Sequence, residues 1–139
     1  MNFRITDDGD ARDIHEIYGL LKAYNLSRRE ASQNVPIGVF LEDEADRKLA
    51  GLTGETFGNW LCIKYLWVSE SRRGQGVGSR LLAAAEQEAL RRGAKNVFLD
   101  TFSFQAPGFY RKHGYQEVFR LAELPYTGYR AYFIKKLME

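Results

Sequence analysis

The chain has a single cysteine, Cys62, in 139 residues. One thiol closes no internal disulfide and builds no cysteine-based metal cluster. It sits in an apolar run, where a buried, inert thiol is expected. Histidine is equally scarce. His15 falls among polar positions and His113 just before Gly114, neither with a carboxylate at ligand spacing, so no metal site is expected. No apolar run reaches membrane-spanning length and no apolar signal segment opens the chain, so the expected location is cytoplasmic, with no membrane partner. Charge of one sign is also missing: 20 Lys and Arg against 18 Asp and Glu leave a formal net charge of +2. Phosphate-backbone binding needs a basic face, so nucleic acid is not an expected partner. The pairs Arg28-Arg29 and Arg91-Arg92 read as solvated surface, whereas Arg72-Arg73 abuts a glycine turn.

What the chain does have is rings, with eight Tyr and nine Phe, so a ring-lined core or pocket is expected. Its length suits one domain with a proper core. Asn2 to Ile5 reads as a first strand and Thr6 to Asp10 as a polar turn, with Asp10 and Asp13 at the spacing of a capping pair. Ile14, Ile17, Tyr18 and Leu21 recur at helical spacing. Asn25 to Asn34 is polar and reads as a second short helix. Ile37 to Glu42 and Lys48 to Gly54 form a hairpin around the acidic turn Glu42, Asp43, Glu44 and Asp46. Leu61 to Val68 is a nearly continuous apolar strand.

Gln75 to Arg92 is the strongest helix pattern, with Gly78, Leu81, Leu82, Ala85 and Ala89 on one face and Gly93 suited to end it. Asn96 to Thr101 is the next strand and Gln105 to His113 a short helix. Tyr115 to Leu121 and Tyr129 to Leu137 read as a final hairpin.

The most informative stretch is Arg72-Arg73-Gly74-Gln75-Gly76-Val77-Gly78-Ser79, between the apolar strand and the strong helix. Glycines let the backbone lie against a ligand, and the helix start offers unpaired N–H groups. Together these make a pyrophosphate cradle. A P-loop is excluded because no lysine follows the glycines. A dinucleotide fingerprint fits poorly, since the third glycine comes one position early. Asp100, near the distance of its ribose-binding acid, is unremarkable at the end of a strand.

Arg73-Gly74-Gln75-Gly76-Val77-Gly78 does fit Arg/Gln-x-x-Gly-x-Gly/Ala, and it resembles the acetyl-coenzyme A signature of the GNAT family of N-acetyltransferases. Ala106-Pro107-Gly108-Phe109-Tyr110-Arg111-Lys112-His113-Gly114-Tyr115 is similar to that family's Ala-x-x-Phe/Leu-Tyr-x-x-x-Gly-Phe/Tyr block. Both stand in the family's order and spacing, and the resemblance spans roughly residues 2 to 137. It implies one N-acetyltransferase domain over residues 1–139 with an α/β (α+β) acyl-CoA N-acyltransferase fold. In that fold a central mixed β-sheet splays at its fourth and fifth strands and is flanked by about four helices.

It also implies acetyl-CoA as cosubstrate, no metal, and direct transfer to a primary amine of a small molecule or peptide. The family often pairs as homodimers, although no feature here fixes the oligomeric state. Main-chain groups of Leu66, Trp67 and Val68 would bind the pantetheine arm, their side chains lying mostly in the core. The backbone of Arg73, Gly74, Gln75, Gly76, Val77, Gly78 and Ser79 would bind the pyrophosphate. Tyr110 would be the general acid, since a phenol with a pKa of about 10 is protonated at neutral pH. Tyr115, the nearest competitor, occupies a position that usually packs in the core.

Two positions depart from the family pattern. Ser103 stands where an Asn often binds the pantetheine; it either replaces that bond or only caps the short helix. Cys62 stands where some members carry a general-base Glu. Deprotonation then passes through water or another carboxylate, and Glu55, otherwise a solvated loop residue, is the nearest. Tyr18, Tyr24, Phe57, Trp60, Tyr126 and Tyr129 lie in regions that build the family's acceptor pocket, which hints at an apolar or aromatic acceptor. Two alternatives stay open: a non-catalytic acyl-CoA-binding module of the same fold, and a dinucleotide-binding oxidoreductase.

Overall fold

The computed structural model describes residues 1–7, 9, 11–28 and 33–138. The chain divides into two units, residues 1–32 and 33–139. The first contains the predicted amphipathic helix, α1 (Ala11–Leu26). Arg4 reaches that helix, its guanidinium donating to Asp13 at 2.9 Å. The strand expected at Asn2 to Ile5 is absent, and these residues are irregular. Local β-propensity makes a strand only where a neighbour supplies a ladder, and the sheet begins at Asn34. The second short helix does not appear among the described residues: α1 runs to Leu26 and β1 starts at Asn34, with Arg29 to Ser32 outside the described set. Asp10 of the expected capping pair also lies outside it.

The second unit holds a six-stranded mixed sheet: β1 (Asn34–Glu42), β2 (Lys48–Phe57), β3 (Trp60–Val68), β4 (Asn96–Phe102), β5 (Gln116–Ala122) and β6 (Tyr129–Lys136). Their spatial order is β1-β2-β3-β4-β6-β5. Between β3 and β4 lies α2 (Val77–Arg91), and between β4 and β5 lies α3 (Pro107–Lys112). Three α-helices are thus described where about four were expected. The acidic turn closes the first hairpin as predicted, with one Asp43 carboxylate oxygen accepting from the N–H groups of Ala45 and Arg47 at 2.8 and 3.0 Å.

The apolar face of α2 buries Leu81, Leu82, Ala85 and Ala89, as the spacing predicts. They join Leu52, Leu61, Val97 and Phe133 in one core on a single face of the sheet. Arg92 ties the end of α2 to the first hairpin: it donates to Glu88 at 2.8 Å, to the Val35 carbonyl at 3.0 Å and to the Thr56 hydroxyl at 3.2 Å.

Two irregularities set up the site. The parallel ladder between β3 and β4 holds only Trp60–Asn96, Leu61–Val97 and Cys62–Phe98, after which the strands part. This is the expected splay. Just past that rung β3 carries a bulge: Thr53 pairs with Tyr65 and Gly54 with Ile63, so Lys64 is the extra residue. A bulge advances the side-chain alternation by one position. Leu66 and Val68 therefore pack against the core, whereas Trp67 turns outward and is 51% exposed. The expectation of a mostly core Trp67 is corrected by that phase change. A Cβ on Gly54 would run into the Cys62 carbonyl, so the bulge requires glycine there. Gly54→Ala is expected to destabilise the fold by about 2 kcal/mol or more, read as a lower urea midpoint; an unchanged midpoint would show that the bulge absorbs the methyl group.

Candidate functional site

Where β3 and β4 part, a cleft of about 900 Å³ opens. Beyond Cys62 and Phe98 the two strands exchange no ladder bonds, yet each stays anchored, β3 by β2 and β4 by β6. The cleft thus presents main-chain groups that an inserted extended molecule can pair with, as an added strand does.

The glycine turn closes one end. Gly74 and Gly76 have φ of 75° and 77°, in the left-handed region, and a built Cβ at either meets nothing within 4 Å. Glycine is needed there for conformation. Gly78 differs: it sits inside α2, where an added Cβ would lie 3.3 Å from the Phe109 ring of α3. The third glycine therefore serves packing between the two helices. Gly76 caps α2 without a side-chain bond, so the first N–H groups of the helix and its positive dipole end face the cleft. Arg72 and Arg73 line the same end. The Arg73 guanidinium donates to the Val68 carbonyl at 3.0 Å, which clamps the turn to the end of β3.

On the far wall α3 carries Tyr110, 8% exposed and ringed by Phe109, Tyr115 and Phe133. Its hydroxyl has no hydrogen-bond partner among the described residues, yet it is not sealed from solvent, so it opens to the cleft. Burial first, and the charge of Asp100 second, push this phenol above its usual value. It stays protonated across the neutral range. Tyr115 is no competitor: its hydroxyl donates to Glu86 at 2.8 Å, and it does not line the cleft.

The residues expected at the site mostly converge. Leu66, Trp67, Val68, Arg73, Gly74, Gly76, Val77, Gly78, Ser79 and Tyr110 all line this one cleft. Gln75 and Ser103 do not. The Gln75 amide donates to the Ser71 carbonyl at 3.0 Å, bracing the turn. The Ser103 hydroxyl accepts from the Tyr129 N–H at 3.2 Å, holding the last loop to the end of β4.

Three cleft residues escaped the sequence reading. Asp100, discounted as a ribose acid, lines the cleft and is held by Arg130 at 2.6 Å. His113 meets the Ser79 hydroxyl through Nε2 at 2.9 Å. The Phe109 ring meets the His113 ring at a tilt of 58°, with centroids 4.7 Å apart. The four-residue spacing of Phe109 and His113 was the available signal. Glu55 lies within β2, not in a loop. Cys62 is half-buried, its thiol pushed up chiefly by that burial. Of the six expected acceptor rings, Phe57 and Trp60 line a second cavity, Tyr126 and Tyr129 belong to neither cavity, and Tyr18 and Tyr24 lie in the first unit.

A long molecule with a pyrophosphate at one end and an amide-bearing arm fits this cleft: the arm meets open strand edges and the phosphates meet a helix start. Among the described residues no group of three or more His, Cys, Asp or Glu is placed to hold a metal ion, and no helix is long and apolar enough to cross a membrane.

Comparison with known proteins agrees with this geometry. Residues 36–117 match the acetyltransferase (GNAT) domain. An acetyltransferase of Agrobacterium fabrum is 35% identical over 89% of this chain and 90% of its own length. Blasticidin-S acetyltransferase of Streptomyces morookaense is 41% identical over 54% of this chain and 56% of its own. A crystal structure from Agrobacterium tumefaciens, assigned to the acetyltransferases, superposes with a TM-score of 0.92 at 32% identity, covering 98% of this chain and 99% of that one.

Coenzyme A is expected to raise the melting temperature of the wild-type protein. Gly76→Val, which forces a side chain into the left-handed region at a cost of roughly 1–3 kcal/mol, is expected to shrink that rise. An equal rise in both proteins would remove the turn from the binding site.

Proposed function

This chain belongs to the GNAT acetyltransferase family and is an acetyl-CoA-dependent acetyltransferase, and from that premise we propose that it transfers the acetyl group directly to a primary amine of a small molecule, with Tyr110 as general acid. The observation that carries the proposal is the Tyr110 hydroxyl. It is a protonated donor, without a partner among the described residues, opening into the same cleft as the glycine turn.

The thioester supplies an activated acyl carbon, so no covalent intermediate on the protein is needed. The residues have three tasks. The open edges of β3, at Leu66 to Val68, hold the pantetheine arm in extended form. The N–H groups from Arg73 to Ser79, with the start of α2, hold the pyrophosphate. Tyr110 protonates the departing sulfur. The balance closes as follows: the ammonium first loses a proton to water, the free amine nitrogen bonds the acetyl carbon and loses a second proton to water, and the carbon–sulfur bond breaks. Sulfur takes the Tyr110 proton, which solvent restores, and one proton is released overall. Positioning amine and thioester together supplies much of the acceleration.

A small-molecule acceptor is favoured because a curated relative of part of the chain, by its name, acts on the antibiotic blasticidin S. We place the reaction in the cytoplasm, a compartment in which the free thiol of Cys62 stays reduced.

Tyr110→Phe is expected to lower kcat by a factor on the order of 10²–10⁴, while acetyl-CoA still raises the melting temperature. Unchanged turnover would overturn the acid assignment. Binding without turnover in the wild type, across a panel of amines, would instead favour a non-catalytic module. The sign of the pH effect follows from the raised phenol pKa. The donor form exists below that pKa, so the wild-type kcat plateau is expected to extend past pH of about 10. A decline well below that value in the wild type, absent in Tyr110→Phe, would contradict the raised pKa.

A further inference from the structure

The sheet has a second cavity, of about 490 Å³. Trp60 and Cys62 line it, and both alternate along β3 with the core residues Leu61 and Ile63, so it lies on the face turned away from α2. Its chemistry differs from that of the cleft. The rings of Phe57, Trp60, Phe98 and Tyr132 line it, and Trp60 meets Phe98 edge to face at 5.8 Å. Glu55 is the one charged side chain among its described lining residues.

The Glu55 carboxylate is held by one oxygen: Oε1 accepts from the Asn34 amide at 3.0 Å and lies 3.5 Å from the Lys64 ammonium. No bond among the described residues engages Oε2. Register places Glu55 beside Cys62, and Cys62 beside Phe98, the last rung before β3 and β4 part. The backbone of residue 55 thus stands one strand spacing, about 4.8 Å, from Cys62 at the fork, with both side chains on the same face. Leu99 lines both this cavity and the cleft, so the two meet at that point.

We propose that this second cavity is the acceptor pocket and that it selects a primary amine borne on a flat, apolar body, with Glu55 holding the ammonium group. The proposal rests on the amine-transfer reading given above and adds the class of amine. Its volume suits a small molecule. Exposed rings can pair edge to face or offset-stacked with another flat group, and their faces attract a cation. With Oε1 shared by Asn34 and Lys64, the Oε2 of this single carboxylate offers one place for a positive charge. A polyamine would bring a second charge with no partner, and an acidic amine would set its carboxylate against Glu55. Either mismatch is costly away from water. An amine held here reaches the fork from the face opposite the core, while the cosubstrate occupies the cleft, so the two need not compete for space.

The test is thiol release from acetyl-CoA with phenethylamine, tryptamine, butylamine, spermidine and glycine as acceptors. The two arylalkylamines are expected to exceed butylamine at least tenfold in kcat/KM. Glu55→Gln is expected to raise their KM roughly 10- to 100-fold, with the KM for acetyl-CoA and the melting temperature unchanged. Trp60→Leu is expected to narrow the gap between arylalkylamines and butylamine. A preference for spermidine or glycine, or an amine KM indifferent to both substitutions, would overturn this pocket and leave acetyl transfer standing. Stabilisation by acetyl-CoA without thiol release for any of these amines would overturn the pocket together with the amine-transfer reading beneath it.

Discussion

Everything at the site depends on two neighbouring strands ceasing to pair. A parallel ladder left open exposes polar groups that must find partners or water, so a sheet does not split without support. Here β2 holds β3 by antiparallel bonds on one side of the opening, and β6 holds β4 along its full length on the other. The gap is therefore a rigid slot between two well-formed ladders. The bulge at Lys64 has a second consequence. Without the extra residue, Tyr65 and Trp67 would point into the core and Leu66 and Val68 away from it. With it, an apolar strand keeps a buried face on both sides of the irregularity. Gly54 permits this because the Cys62 carbonyl occupies the space a side chain would need.

The second constraint is how α3 is held. Phe109 presses on Gly78 in the first turn of α2, and His113, one turn further along α3, meets Ser79 in the next residue of that turn. The two helices are thereby clamped at the end where α2 offers its N–H groups. Between the clamping residues stands Tyr110, packed against Tyr115 and Phe133. Tyr115 is itself fixed by Glu86, which also binds the Lys135 ammonium at 3.1 Å. A phenol held on so many sides has little rotational freedom, and its polar end points where packing leaves room. The same burial that orients it keeps it protonated.

How legible this was in the sequence varied with the physical cause. The glycine turn, the amphipathic face of α2 and the position of Tyr110 are local patterns, and each was readable because the required chemistry lies within a few residues. The failures share a different origin. Asn2 to Ile5 has strand-like residues but no ladder, and no short window contains information about neighbours. Trp67 was misplaced because a bulge changes the alternation without altering composition. Glu55 was read as a loop residue because Gly54 looked like the end of a strand. Gly54 is instead the small residue that allows β2 to continue past the bulge to Phe57. Ser103 resembles a ligand-binding position by spacing, yet its hydroxyl is occupied by the Tyr129 backbone. Such partners come from distant parts of the chain.

The division between what was legible and what was not follows the chemistry of the two substrates. In the binding mode proposed above, the cleft meets its ligand chiefly through main-chain groups, helix N–H groups and strand edges. Main-chain recognition constrains the sequence through glycines and through helix and strand boundaries, which leave local signatures. The second cavity is built from side chains on β2, β3, β4 and β6, separated by many residues and united only by register. Neither Glu55 nor Trp60 belongs to the turn or to the clamp on α3, so its character can change by substitution there without touching either. One scaffold can therefore keep the acetyl-donating half nearly constant while the opposite face of the sheet adapts to different amines. If the second cavity is the acceptor pocket proposed above, the fork at Cys62 and Phe98 is where the constant half and the variable half meet, and selectivity can be altered there with little cost to the donor side.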